Sequence, residues 1–211
     1  MTLTIDPAET GAALFDMDGT LLDSSVAVIA SWTQFAHEYG LDPEEVVRSV
    51  HGVRAVESVA RYVPAGEVDA ATQKLIDREM SLTDGIIEIA GAAELLTALP
   101  SAGIPAAIVT SAPRDLALVR LEAAGIPIPP VLVTGDDVER GKPAPDCYLL
   151  AAERLGVDPA RCVIFEDAEA GLLAGLAAGA RVVVIGDYAS ETTGTLERLA
   201  DYRDVVIAPR D

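Results

Sequence analysis

Five short apolar runs rich in branched residues recur along the chain, at residues 12–15, 104–109, 131–133, 163–165 and 182–185. Each is nearly continuous instead of alternating apolar with polar. Strands covered by helices on both faces of a parallel sheet read this way. Helical patterns fill the intervals at 92–99, 114–123, 145–155 and 171–178. Strand and helix in alternation predict an α/β fold, a doubly wound, Rossmann-like parallel sheet with right-handed crossovers. Functional groups of such sheets collect beyond the carboxyl ends of the strands. Residues 204–207 are a candidate for one more strand.

The interval 23–90 breaks the alternation. It contains no convincing strand and reads as consecutive helices at 26–39, 43–50, 53–62 and 67–80, punctuated by Gly40, Gly52 and Pro64-Ala65-Gly66. The expected organisation is a catalytic core of residues 1–22 and 91–211, with a helical domain of residues 23–90 inserted after the first core strand. Such an insertion would sit above the catalytic edge as a lid, hinged near 22–24 and 90–91. No repeat or low-complexity tract interrupts the chain. Its small-residue stretch at 168–180 suits close packing of a helix on a sheet.

With 34 acidic against 15 basic residues, the formal charge is −19. Neutralising nucleic-acid phosphates takes clustered Lys and Arg, so nucleic acid is not an expected partner. An anionic small molecule remains compatible if a cation sits in its pocket. No run of about 20 apolar residues predicts a membrane span. The start of the chain, with Asp6 and Glu9, lacks the basic-then-apolar pattern of a signal peptide. Cys147 and Cys162 fall in different elements without metal-type spacing. Together these features lead us to expect a cytoplasmic protein.

Polar residues stand at the ends of four of the strand-like runs. Asp16-Met17-Asp18 follows the first, and the i, i+2 spacing would point both carboxylates one way if the strand continued. One could attack phosphorus while the other handles a proton, although such pairs also occur as solvated loops. Thr110-Ser111 follows the second, offering hydroxyls and N–H groups to a phosphate or, with Pro113, a helix N-cap. Lys142, between Gly141 and Pro143, could neutralise a phosphoryl oxygen or be a solvated loop lysine. Glu166-Asp167 suits a hard cation, or is a helix-start acidic pair.

The stretches FDMDGTLLDS, AAIVTSAPRD, RGKPAPDCYLLAAERLG and VIFEDAEAGLLAGLAAG together resemble the haloacid dehalogenase superfamily, specifically its phosphatase branch with a helical cap between the first and second core strands. The resemblance implies that Asp16 is a nucleophile forming an aspartyl-phosphate and Asp18 the general acid and base. It implies Mg²⁺ held by Asp16, the Asp18 backbone carbonyl and Asp167, with Glu166 helping directly or through water. Thr110 and Lys142 would grip the phosphoryl oxygens, assisted by Ser111 and by the amides after Asp16, Gly19 among them.

Within the family, Asp18 argues against dehalogenation, in which no alkoxide needs a proton. Lys74, the lysine of the inserted segment, lies in a polar helical run and makes a poor Schiff-base former. The segment containing His51-Gly52-Val53-Arg54 resembles the caps of small sugar and polyol phosphatases, such as 2-deoxyglucose-6-phosphate and glycerol-3-phosphate phosphatases. β-Phosphoglucomutase-like caps place an arginine in the corresponding region to bind a second phosphate. The resemblance therefore implies a Mg²⁺-dependent phosphatase of small phosphorylated sugars or polyols, with His51 and Arg54 touching substrate and a monomer as the default state. A phosphosugar mutase and a non-catalytic binding module of the same fold are the alternatives. The retained set Asp16, Asp18, Thr110, Lys142 and Asp167 favours an enzyme.

Overall fold

The computed structural model describes residues 2–209. Its central sheet holds six strands in the order β6-β5-β2-β7-β8-β9, all pairings parallel. These are β2 (Ala12–Phe15), β5 (Ala106–Val109), β6 (Val131–Val133), β7 (Cys162–Glu166), β8 (Arg181–Ile185) and β9 (Glu197–Leu199). Four helices cover the sheet: α5 (Ala92–Ala98), α6 (Arg114–Ala124), α7 (Asp146–Leu155) and α8 (Glu169–Ala177). Alternate strand residues go to opposite layers. Ala13, Phe15, Ile108 and Phe165 pack with Leu96 of α5 and Leu121 of α6, whereas Leu14, Val109 and Ile164 pack with Tyr148 of α7 and Leu172 of α8.

The chain runs outward from β2 to β5 and β6, then returns to the other side of β2 for β7. The carboxyl ends of β2 and β7 therefore form the switch point of the sheet, where such folds open a crevice. Register levels those ends, because Phe15 pairs with Ile108 on one side and Phe165 on the other. The two phenylalanine rings stack at 4.8 Å under the site.

Two expectations need correction. Residues Val205–Ile207 form a strand (β10) that does not join the central sheet; it pairs with β1 (Leu3–Ile5), whose Leu3 and Ile5 are buried against the core. The sixth central strand is instead β9, whose Glu-Arg-Leu sequence lies at a sheet edge, where one side needs no partner and charge is tolerated. The interval 23–90 also contains strand. Leu22–Asp23 (β3) and Ile87–Glu88 (β4) form an antiparallel ladder across which the chain enters and leaves the helices.

Those helices are α1 (Ser25–Tyr39), α2 (Pro43–Ser49), α3 (Ala55–Val59) and α4 (Val68–Ser81). Gly40 ends α1 in the left-handed conformation, and Asp42 caps α2 by accepting the Glu44 N–H at 2.9 Å. Trp32, Phe35, Val46, Val59 and Leu75 make a separate apolar cluster within this segment. No helix among the described residues is long and apolar enough to cross a membrane.

Candidate active site

Strand β2 stops at Phe15, and the chain turns at Met17, whose carbonyl accepts the N–H groups of both Leu21 and Leu22. Asp16 and Asp18 therefore do not share a strand face as the i, i+2 spacing suggested. Asp16 keeps the direction of Ala12 and Leu14, toward the layer of α7 and α8. Glu166 keeps that of Cys162 and Ile164. Lys142, from the loop before α7, lies between the two carboxylates. Its ammonium donates to Asp16 Oδ1 at 2.5 Å, Glu166 Oε1 at 2.6 Å and the Val109 carbonyl at 3.2 Å. All three of its N–H donors are thereby engaged, and it is no solvated loop lysine.

Glu166 is just as fully occupied. Tyr148 donates to Oε1 at 2.7 Å, and the N–H groups of Asp167 and Ala168 donate to Oε2 at 3.0 and 3.3 Å. With Lys142, these fill the four acceptor positions of a carboxylate. Asp167 points instead into the cavity, with its Oδ1 accepting from Thr20 Oγ at 3.0 Å. Gly19 makes room for it: at φ +81°, a Cβ there would lie 2.1 Å from Asp167 Oδ2.

Crowding in a buried space perturbs two of these acids, Asp16 and Asp167. Burial, then the charge of Glu166, pushes Asp167 up to about 8. Burial also raises Asp16 well above the usual carboxylate range, with Glu166 and Asp167 adding to the rise and Lys142 opposing it. Burial alone would lower the Lys142 ammonium, but Asp16 and Glu166 more than reverse it, so it stays charged. Asp16, Glu166 and Asp167 each offer an oxygen within 4.8 Å of the others. An oxygen-rich, charge-deficient cluster of this kind fits a hard divalent cation. Asp16 and Asp167 are its available side-chain donors, because the Glu166 oxygens are already engaged.

Asp18 faces another way. Its Oδ1 accepts from Ser24 Oγ at 2.6 Å, and its Oδ2 lies 3.0 Å from Nη1 of Arg120. Thr110, at the end of β5, is buried and accepts the Ala112 N–H at 3.1 Å. Ser111 is not the N-cap of α6. Its Oγ donates to the Gly52 carbonyl at 3.0 Å, and Asp136 takes the capping role by accepting the Arg114 N–H at 2.8 Å. Both cysteines are buried free thiols.

A cavity of about 200 Å³ opens over these groups, lined by Asp16, Asp18, Gly19, Thr110, Ser111 and Asp167 from the sheet side and by Trp32, His51, Gly52 and Glu79 from the helical segment. His51 thus stands where the sequence put it, and burial lowers its basicity. Arg54 does not line the cavity. Its guanidinium pairs with Glu57 and donates to the carbonyls of Val138 at 3.0 Å and Glu139 at 2.9 Å.

The sequence reading missed Arg120 and Glu79, although both carry a signal. Arg120 follows the buried Leu116 by four positions and Ala117 by three, and Glu79 follows the buried Leu75 by four. Each is a charge on the apolar stripe of its helix, which demands a partner. They meet across the cavity at 3.3 Å.

The six-stranded parallel sheet carries a carboxylate–lysine–carboxylate bridge at its switch point. The model for haloacid dehalogenase-like hydrolases matches residues 10–179, and the chain belongs to that family. It is 47% identical over 175 residues to hexitol phosphatase A of Escherichia coli, covering 82% of this chain and 81% of that one. It is 36% identical over 200 residues to glycerol-1-phosphate phosphohydrolase 2 of Saccharomyces cerevisiae, covering 88% and 79%. The fold is shared with β-phosphoglucomutase of Clostridium difficile at TM-score 0.81 and 24% identity, over 91% of both chains.

Proposed function

We propose that this hydrolase is a Mg²⁺-dependent phosphatase of small phosphorylated polyols and sugars, acting through a phosphorylated Asp16 in the cytoplasm. Residues 23–90 act as a cap over a core of residues 1–22 and 91–211. The observation that carries the reading is the fixed position of Asp16: Lys142 holds its Oδ1 at 2.5 Å, the residue lines the cavity, and its other oxygen carries no hydrogen bond from the described residues. That oxygen attacks phosphorus. Asp18 gives its proton to the leaving alkoxide as the P–O bond breaks, then takes one from the water that cleaves the acyl phosphate. Asp16, Asp167 and the Asp18 carbonyl would hold Mg²⁺, which when bound would supply charge neutralisation at the phosphoryl oxygens. Thr110, Ser111 and Gly19 line the cavity where those oxygens sit, the Gly19 N–H being already donated to the Leu22 carbonyl at 2.7 Å. Lys142 keeps Asp16 oriented from behind.

The leaving group is a neutral polyhydroxyl. Arg120 is the one Lys or Arg among the described cavity-lining residues, and two carboxylates already flank it. Arg54, the candidate receptor for a second phosphate, is engaged by Glu57 and two carbonyls. A bisphosphate intermediate, which a mutase requires, therefore lacks a cationic seat. The relatives named for hexitol and glycerol-1-phosphate substrates support the same class. The free buried thiols Cys147 and Cys162 suit a reducing compartment.

Phosphate release from hexitol, glycerol and hexose phosphates is the test. Turnover with Mg²⁺ should vanish on chelation and return when Mg²⁺ is restored. Asp16→Asn should lose at least about a thousandfold. Conversion of β-glucose-1-phosphate to glucose-6-phosphate, or full activity of Asp16→Asn, would overturn the reading.

A further inference from the structure

We propose that Arg120 is the positioning residue for Asp18, and that Glu79, from α4, is the counter-charge that holds Arg120 in place. This rests on the phosphatase reading above. Asp18 is otherwise held by a single side chain, Ser24, on one oxygen. Arg120 holds the other oxygen at 3.0 Å, so the carboxyl plane is fixed from both ends. Each Asp18 oxygen accepts two hydrogen bonds at full capacity. Ser24 fills one direction on Oδ1, and Oδ2, in ionic contact with Arg120, keeps room for the proton in transit.

The cost of this arrangement indicates that it serves the reaction. The Arg120 side chain is 5% exposed and that of Glu79 is 6% exposed. Burying such a pair loses more hydration than Coulomb attraction returns unless hydrogen bonding is complete. Here it is incomplete. Nη2 stands 3.3 Å from Glu79 without an aligned hydrogen bond, and Nε has no partner. An apolar pair of similar volume at the contact of α4 and α6 would hold the helices at least as well. Of the two carboxylate contacts of Arg120, the shorter, at 3.0 Å against 3.3 Å, is to Asp18. Its Nη1 reaches Asp18 from α6, a helix anchored to the sheet core by Ala117 and Leu121.

Leaving-group chemistry separates positioning of the acid from support of the fold. An alkyl phosphate needs Asp18 to protonate the departing alkoxide, whereas p-nitrophenolate departs without a proton. Because kcat/KM reports the steps through phosphorylation of Asp16, it isolates the moment when Asp18 acts as an acid. Arg120→Met is expected to lower kcat/KM on the order of 100-fold for a hexitol phosphate. For p-nitrophenyl phosphate the same variant should lose no more than a few-fold. Arg120→Lys should recover part of the alkyl activity, and Glu79→Gln should fall between it and the wild type. The double variant Arg120→Met, Glu79→Gln removes both buried charges, so it keeps the comparison in a folded protein if Arg120→Met alone unfolds. Equal losses on both esters, or no loss on the alkyl ester, would overturn the assignment. Wild-type protein that releases phosphate from neither ester would overturn the phosphatase reading itself, and this one with it.

Discussion

Lys142 is the buried cation on which the site depends. Its ammonium is enclosed by Asp16, Glu166 and the Val109 carbonyl, and its stem passes near the Tyr148 ring, 5.1 Å from Nζ to the centroid. Removing one member of such a cluster leaves the others charged and unpaired, which costs about 3–5 kcal/mol. Lys142→Met should therefore lower stability by that order, read as a shift of the urea midpoint, and abolish turnover as Asp16 swings free. A variant that keeps wild-type stability would mean that the Lys142 charge is not what offsets the buried carboxylates around it. The same residue shows how far single positions were legible in the sequence. Gly141-Lys142-Pro143 marked a restrained lysine, but not that its three donors point inward to the protein. Likewise Glu166-Asp167 marked a cation site without revealing that Glu166 has every acceptor position filled and Asp167 has not. Residue type and spacing carry the chemistry available. Direction depends on which layer of the sheet a side chain enters.

Helix α4 contributes Glu79 where its buried face calls for an apolar residue, beside Leu75 and Thr72. Burial, opposed by Arg120 and by the Trp32 indole, raises this carboxyl from the ordinary 4.5 to about 7. Between pH 4.5 and about 7 the folded chain then keeps a proton that the unfolded chain releases, and above about 7 Glu79 is ionised and is the counter-charge of Arg120. Stability from this group is accordingly full below pH 4.5 and falls as pH rises toward 7. The whole effect is at most roughly 3 kcal/mol, about 1.4 per unit of displacement. Glu79→Gln removes it, so the variant should match wild type at pH 4.5 and exceed it by about 1–3 kcal/mol at pH 8 in urea titrations. A variant less stable than wild type at pH 8 would show that the ionised pair with Arg120 is net favourable. Elements with a strong apolar signature were legible to within a few residues, as β2, β5 to β8 and α5 to α8 show. β9 was not, because an edge strand of sequence Glu-Arg-Leu has no buried second face to impose the pattern. β1 and β3 escaped because Leu3-Thr4-Ile5 and Leu22-Asp23 are each interrupted by a polar residue and offer no unbroken apolar run like Val131–Val133.

Several contacts join the helical segment to the sheet-bearing part around the cavity, and in the proposed cap they would govern its closure. The β3–β4 ladder carries the chain across, Ser111 donates to Gly52, and Arg54 reaches the 138–139 carbonyls. Space is close at this seam: a Cβ on Gly141 would lie 2.7 Å from Arg54 Nε, and one on Gly52 2.8 Å from the Ala168 Cβ. Arg54 is therefore a clasp on the far side of the cavity wall, with Glu57 orienting its guanidinium. Losing two charge-assisted hydrogen bonds to carbonyls weakens the seated arrangement by about 1–2 kcal/mol. Any ligand that requires that arrangement is weakened equally, whatever its leaving group. Arg54→Ala should then raise KM for hexitol phosphate, glycerol phosphate and p-nitrophenyl phosphate by one common factor, of order ten. A rise confined to the sugar and polyol esters would instead put the guanidinium on the substrate, as the sequence alone suggested. The comparison also separates the two arginines. Arg120 discriminates between leaving groups because it acts through Asp18, whereas Arg54 cannot, because it acts through the closure that all substrates share.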